Sequence, residues 1–353
     1  MHDNFSLILL DKYKINAKIK LISYIELKGF DRMLHPLKLK AAFKDYLWGG
    51  TRLRDEFNKQ TDIDPVAESW ELSCHHDGHS IIDNGEFTGK TLSEYIQAVG
   101  NQVIGTKAQN KQDFPILIKF IDAKQNLSVQ VHPDDKYALL HEGESGKTEM
   151  WYVMDATDDA SLIYGFTKEI SHQEFERRIK DNTLLEVCNQ VPIKKGDVFF
   201  IEAGTLHAIG AGALIAEIQQ SSNSTYRVYD YGRIGKDGKP RQLHIEKALA
   251  VTKLEPPTRK PEALAKFTHF ANYDLTILAQ CDLFNVSHFN LHGNCSLLAN
   301  KESFHSILIL DGEMALTYHG NSFTISKGES IFIPANMGEY ILNGTGEFLL
   351  TTL

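Results

Sequence analysis

What constrains this chain most is a succession of short β-branched and aromatic runs, FPILIKFIDA, LSVQVHP, EMWYVMD, ASLIYGF, DVFFIEAG and LIAEIQQ, punctuated by Gly, Asp and Asn. Such runs predict strands packed as a sandwich or barrel. Two stretches depart from the pattern. In SHQEFERRIKDNTLLEVCNQ, Phe175, Ile179 and Leu184 recur at roughly helical spacing between charges, and TLSEYIQAVGNQVIG is its counterpart nearer the start. Each opens on a Thr or Ser suited to capping a helix, so the expected fold class is all-β with added helices.

A chain of 353 residues suits two domains, at about 150 residues each. Residues 1–32, rich in Lys and β-branched side chains, read as an N-terminal extension that need not belong to the fold, with Met33 opening LHPLKLKAAFKDYLWGG. Residues 33–253 form the first domain, with the helical segments. The Pro-rich stretch LEPPTRKPEALAKF, residues 254–267, reads as a linker. A second, smaller barrel over 268–353 follows. KKGDVFFIEAGTLHAIG in the first domain and SKGESIFIPANMGEYIL in the second share one layout of KG turn, apolar strand and second turn, which predicts two related barrels.

Acidic residues outnumber basic ones by 46 to 37, a formal charge of −9, so general binding to nucleic acid or to an anionic membrane is disfavoured. An anionic substrate then needs a local basic pocket. Apolar runs stop far short of the roughly 18 residues a membrane helix needs. The N-terminus has no basic region ahead of its apolar stretch, so no secretory signal is expected. Cys74, Cys188, Cys281 and Cys295 lack CxxC spacing and fit free thiols in a reducing cytoplasm.

The chemistry concentrates in a few strands. In LSVQVHPDD, Ser128, Gln130 and His132 are spaced two apart and share one face of a strand. GKTEMWYV sets Lys147 and Glu149 on one face of another, and GTLHAIG supplies His207 after a turn. Two histidines, a carboxylate and an amide carbonyl converging in a barrel make a divalent-metal site with positions left open. Zinc suits these donors, and iron, manganese or cobalt also fit. Gln130 is the weakest ligand, since an amide oxygen binds zinc poorly. A strand histidine is most often a packing residue, and it is the joint pattern that singles out His132 and His207. His75, His76, His79, His141, His172 and His244 read as solvated surface.

GDVFFIEAGTLHAIG resembles the second motif of the cupin barrel, with Glu202 where that motif usually has proline, and Gln130 replaces the first histidine of the cupin's first motif. FKDYLWGG, ESWELS, FPILIKFIDA, SVQVHPDD, GKTEMWYV, EAGTLHAI and EIQQSSNSTYRVYDYGR resemble, in order, the sequence blocks of mannose-6-phosphate isomerases of the short bacterial form. The resemblance runs from about Pro36 to the C-terminus. It implies tandem cupin (jelly-roll) domains and one Zn2+ per chain in the first of them, held by His132, Glu149, His207 and Gln130. The implied reaction interconverts D-mannose 6-phosphate and D-fructose 6-phosphate through a cis-enediolate, with a small-molecule sugar phosphate as the binding partner. By the same resemblance Lys119 and Ser128 face the phosphate and Arg227 belongs to the active site. Arginine stays charged, so it suits stabilising an anion rather than acting as base; its alternative is an ion pair with Asp230. Lys147, beside a proposed ligand, is the stronger proton carrier, with Glu217 its competitor. Asn223 stands where longer members often carry an acid.

Two other readings compete. Another cupin enzyme, a dioxygenase or a glucose-6-phosphate isomerase, usually draws on three histidines with a glutamate, and only two are placed here. A sugar-phosphate-binding regulator without turnover would be free to lose Lys147, Glu149, His207 or Arg227. The second barrel is expected to bind no metal, because Glu339 aligns with His207 and His305 has no second histidine two residues away.

Overall fold

The computed structural model describes residues 34–111, 113–235, 237–259 and 267–353. The expected extension 1–32 and residues 260–266 of the expected linker lie outside the described residues. Among the described residues the strands form three sheets, of nine, six and five strands. The fold is mostly β with added helices, as the runs predict.

Alternation explains how the layers stack. The six-stranded sheet runs Val198–Ile201, Glu149–Ala156, Ala213–Gln220, Ile116–Ala123, Glu68–Leu72, Ala42–Lys44. Its two central strands are buried along their whole length, so both faces are covered. Even-numbered residues, among them Ile118, Phe120, Met150, Tyr152 and Ala216, share a core with Phe332, Phe348 and Leu349 of the nine-stranded C-terminal sheet. Odd-numbered residues, among them Ile121, Trp151, Val153 and Ile215, share a second core with Leu162, Tyr164 and Ile209 of the five-stranded sheet. Lys119, Glu149 and Glu217 are also odd-numbered, so period-2 geometry directs them to the second face.

The five-stranded sheet runs Tyr226–Tyr229, Val129–Val131, His207–Ile209, Ser161–Phe166, Cys188–Pro192. Val129, Val131, Tyr226 and Val228 pack outward on Phe175, Ile179 and Ala248 of the helices His172–Lys180 and Ile245–Val251. Ser128, Gln130, His132 and Arg227 alternate with these and look inward. The polar site is therefore what remains when each sheet has spent its apolar face on a core.

The expected helices form, each shorter than its segment: TLSEYIQAVGNQVIG leaves the α-helix at Val99, and Gly100 separates it from a tighter turn over Asn101–Ile104. Thr91 caps Leu92–Val99 through a reciprocal capping box with Glu94, and the Ser171 side chain accepts from Glu174 N at 3.1 Å. SHQEFERRIKDNTLLEVCNQ does not stay helical: the helix stops at Lys180, Asn182 takes a left-handed conformation at φ +59°, and Cys188–Pro192 pairs as a strand with Ser161–Phe166. Asparagine tolerates that conformation and ends helices for that reason.

The repeated motif keeps its layout. Val198–Ile201 and Ser330–Ile333 follow left-handed glycines, Gly196 at φ +92° and Gly328 at φ +86°, and both second turns use a left-handed residue, Gly204 at +87° and Asn336 at +65°. Gly328 is also sterically required, since a Cβ there would lie 2.4 Å from Phe57 O. Beside it the buried Lys59 ammonium donates to Gly328 O at 2.5 Å and stands 2.6 Å from Glu71 Oε1. Leu37–Lys40 pairs with Ser330–Ile333 and Ile81–Ile82 with Leu37–Lys40, so chain from the first domain edges the C-terminal sheet.

A chain ending at residue 259 would leave Ile116, Ile118 and Phe120 uncovered and Leu37–Lys40 unpaired. It is expected to lose soluble expression, measured by partition after lysis; a soluble, folded truncation would show that the C-terminal sheet is dispensable.

Candidate active site

Between the five- and six-stranded sheets, His132, Glu149 and His207 meet with almost no solvent exposure, at most 1% each. His132 Nδ1 lies 2.8 Å from Ser224 O and His207 Nδ1 lies 2.8 Å from Thr205 O. A carbonyl can only accept, so both Nδ1 atoms carry the proton and both Nε2 atoms present lone pairs. Those Nε2 atoms stand 3.1 Å apart. Glu149 Oε1 is 3.3 Å from His207 Nε2, and Oε2 is 3.7 Å from His132 Nε2. Burial first, then the Lys147 charge, pushes His132 well below the usual histidine range; burial lowers His207 to about 4.

Neutral lone pairs aimed at one another beside a carboxylate repel unless positive charge lies among them; the Lys147 ammonium approaches His132 and Glu149, and a divalent ion would bridge all three residues. Two ligands at about 2.0–2.1 Å from a tetrahedral zinc stand about 3.3 Å apart, close to the spacings seen here. Both Glu149 oxygens are buried without a well-aligned hydrogen-bond donor. Donor chemistry and geometry thus fit a divalent metal at His132, Glu149 and His207. Gln130 faces His207 directly across the strands, with its amide nitrogen 3.4 Å from His207 Nε2.

Around this group lies an ionic cluster. Lys147 Nζ is 2.8 Å from Glu149 Oε2, 3.1 Å from His132 Nε2 and 4.0 Å from Glu217 Oε1. Lys119 Nζ lies between Glu217, at 3.2 Å, and Glu68, at 3.5 Å. Trp151 Nε1 donates to Glu217 Oε2 at 2.8 Å. Burial, followed by the Glu217 charge, pushes the Glu149 carboxyl up; burial would do the same to Glu217, but Lys147 and Lys119 hold it well below the usual carboxylate range. Two ammonium groups face three carboxylates, so a divalent cation would make the cluster net positive.

A cavity of about 290 Å³ opens onto the cluster at Gln130, Lys147 and Glu217, with Ser128 and Arg227 on its wall. Arg227 is not paired with Asp230, which takes Arg233 and Arg241 instead. Its Nε donates to Ser128 Oγ at 3.2 Å and its Nη1 to Gln242 O at 3.0 Å. Every residue expected from sequence to serve as ligand, proton carrier or phosphate contact reaches this region. Lys119 does so with both neighbouring carboxylates already engaged, so it lends charge to the cavity more than a free ammonium.

Glu68, Arg241, Ser224 and His244 were not legible. His244 Nδ1 accepts from Arg227 N at 3.2 Å while its own backbone N donates to Arg227 O at 2.7 Å, clasping the arginine strand. His75 is not surface: it is buried, and Nε2 lies 3.2 Å from Glu144 Oε2 beside a cavity of about 710 Å³. Asn223, which borders both cavities, donates to Asp77 Oδ2 at 2.8 Å. Only the alternation in ESWEL, which puts Glu68 on the face of Trp70, hinted at any of these.

Residues 36–158 match the family described as phosphomannose isomerase type I, catalytic domain, and residues 274–353 match the mannose-6-phosphate isomerase cupin domain. A probable mannose-6-phosphate isomerase of Bacillus subtilis is 38% identical over 320 residues, covering 90% of this chain and 99% of the relative. A mannose-6-phosphate isomerase of Streptococcus mutans is 34% identical over 317 residues, covering 90% of this chain and 98% of the relative. The crystal structure of a mannose 6-phosphate isomerase from Bacillus subtilis superposes with a TM-score of 0.84 at 34% identity, over 90% of this chain and 99% of that one. A phosphomannose isomerase from Salmonella typhimurium shares the fold at 18% identity, with a TM-score of 0.70 over 90% of this chain and 98% of that one.

In the C-terminal sheet, exposed Glu339 accepts from Ser296 Oγ at 2.5 Å, and His305 Nδ1 lies 2.8 Å from Tyr340 Oη. Both side chains have local partners unrelated to a metal. Glu339→Ala and His305→Ala are expected to leave metal content and kcat near wild type; a fall in metal per chain with Glu339→Ala would reveal a second metal site.

Proposed function

This chain belongs to the mannose-6-phosphate isomerase family and is an isomerase, and we propose that it interconverts D-mannose 6-phosphate and D-fructose 6-phosphate through a cis-enediolate, using one zinc ion. The observation that carries the metal reading is the pair of inward Nε2 lone pairs 3.1 Å apart beside the buried Glu149 carboxylate. His132, Glu149 and His207 would hold the ion, with Gln130 as a fourth donor once its amide presents oxygen. The catalytic cupin spans residues 33–253 and residues 268–353 form a barrel without a metal.

When bound, zinc supplies Lewis-acid polarisation of the sugar carbonyl and charge to offset the enediolate. The protein does the rest. Lys147, as its neutral amine, is the candidate to take the proton from C2 as the C1 carbonyl gains the electron pair, and to return it to C1 as the O2 proton passes to O1 and the C2 carbonyl forms. Glu217, 4.0 Å from its nitrogen, is the partner through which that proton is held. A cation drawn to Glu149 and His132 competes for the two groups that now hold Lys147, which supports a role for its amine in the chemistry. Ser128 and Arg227 offer a hydroxyl and a guanidinium to the anionic end of the substrate, and Lys119 adds positive potential from below. The free cysteines fit a cytoplasmic enzyme, and no helix among the described residues is long and apolar enough to cross a membrane.

Two measurements test this reading. Chelation should abolish turnover in a coupled assay with mannose 6-phosphate, and stoichiometric zinc should restore it; full activity in a metal-free preparation would sink the metal mechanism. Arg227→Lys keeps the charge but not the planar fork, so kcat should fall about 100-fold with metal content unchanged. Wild-type kcat and KM in that variant would assign Arg227 to structure alone.

A further inference from the structure

Arg241 lines the same cavity as Arg227 and Ser128. Its position is fixed by one buried carboxylate: Asp230 accepts from Arg241 Nε at 2.7 Å and Nη2 at 2.5 Å. Asp230 also accepts from Arg233, whose Nη1 is spent on Asn126 O at 2.6 Å. The grip on Asp230 uses two of the five N–H groups of Arg241, leaving the guanidinium able to donate elsewhere. Two guanidiniums, at 233 and 241, therefore share Asp230, and a third, Arg227, stands in the same region bonded to Ser128 and Gln242 O instead. The surplus is two positive charges, and an organic phosphate carries about −1.5 to −2 at neutral pH.

Spacing places that surplus where a sugar's far end would lie. Gln130 touches the metal-ligand group and Ser128 touches Arg227, and two strand residues advance about 6.6 Å. The anionic subsite is thus set off from the carbonyl chemistry by roughly one sugar. Lys119 is a poorer direct contact, being held between Glu217 and Glu68.

We propose that Arg241 is a second guanidinium of the phosphate subsite, beside Arg227, and that Asp230 is the positioning residue that aims it; this rests on the sugar-phosphate reading of the cavity. Glutamine at 241 removes the charge while Arg233 still compensates Asp230, so the fold should persist.

Inorganic phosphate titrated calorimetrically into the full-length, metal-loaded protein reads the subsite without turnover. Arg241→Gln should weaken phosphate about tenfold or more and raise the KM for mannose 6-phosphate in parallel, with kcat changed far less and bound metal unchanged. Arg241→Lys should recover part of the affinity, and Asp230→Asn should weaken phosphate although it removes a negative charge, because the guanidinium loses its aim. Phosphate affinity equal to wild type in Arg241→Gln, tighter phosphate binding in Asp230→Asn, or no phosphate binding by the wild type would each overturn the assignment. Wild-type protein that binds phosphate but does not isomerise mannose 6-phosphate would instead overturn the isomerase chemistry and leave the subsite standing.

Discussion

Two backbone carbonyls, Ser224 O and Thr205 O, fix the protons of His132 and His207 on Nδ1 and so force two lone pairs to converge on Glu149 in a space almost closed to solvent. Much of the molecule serves to make that convergence tolerable. Removing charged groups from water costs several kcal/mol per ion even after relaxation, and pairing offsets this only where geometry is good. The alternation of Lys119, Glu217, Lys147 and Glu149 across adjacent strands supplies the pairing. A divalent metal held there would turn the cluster's surplus of one carboxylate into a net positive charge.

The energy that holds such a cluster comes from its surroundings. Apolar side chains cover both sides of the six-stranded sheet, one side shared with the C-terminal sheet and the other with the walls of the site. A third core under the helices fixes the outer face of the ligand strands. A register slip of one residue would exchange Val129 and Val131 for Ser128, Gln130 and His132, exposing ligands to the helices and valines to the site. Register is thereby set by burial, and the C-terminal sheet contributes to chemistry by holding the strands that carry it.

How much of this was legible follows from the same geometry. Period-2 spacing within one strand was enough to put Ser128, Gln130 and His132 together, and Lys147 with Glu149, because a strand dictates its own faces. Contacts between distant segments left no such trace. Glu68 reaches Lys119 through strand pairing, and Arg241 reaches the cavity from a loop through Asp230; neither has a local pattern. His75 was misread because a polar sequence context, HHDG, said nothing of the cavity it borders. The helix after Ser171 was overextended because Leu184 lies five residues beyond Ile179, only roughly in helical phase, and Asn182 between them breaks the backbone.

X-ray absorption and anomalous scattering at the zinc edge, from the purified full-length protein, test the convergence most directly. One scatterer per chain is expected, with two imidazole nitrogens and oxygen ligands at about 2.0–2.2 Å, located between His132, Glu149 and His207 and lost in His207→Ala. A scatterer instead at His75, His76 and Asp77, the other described group whose donors could hold a metal, would contradict it.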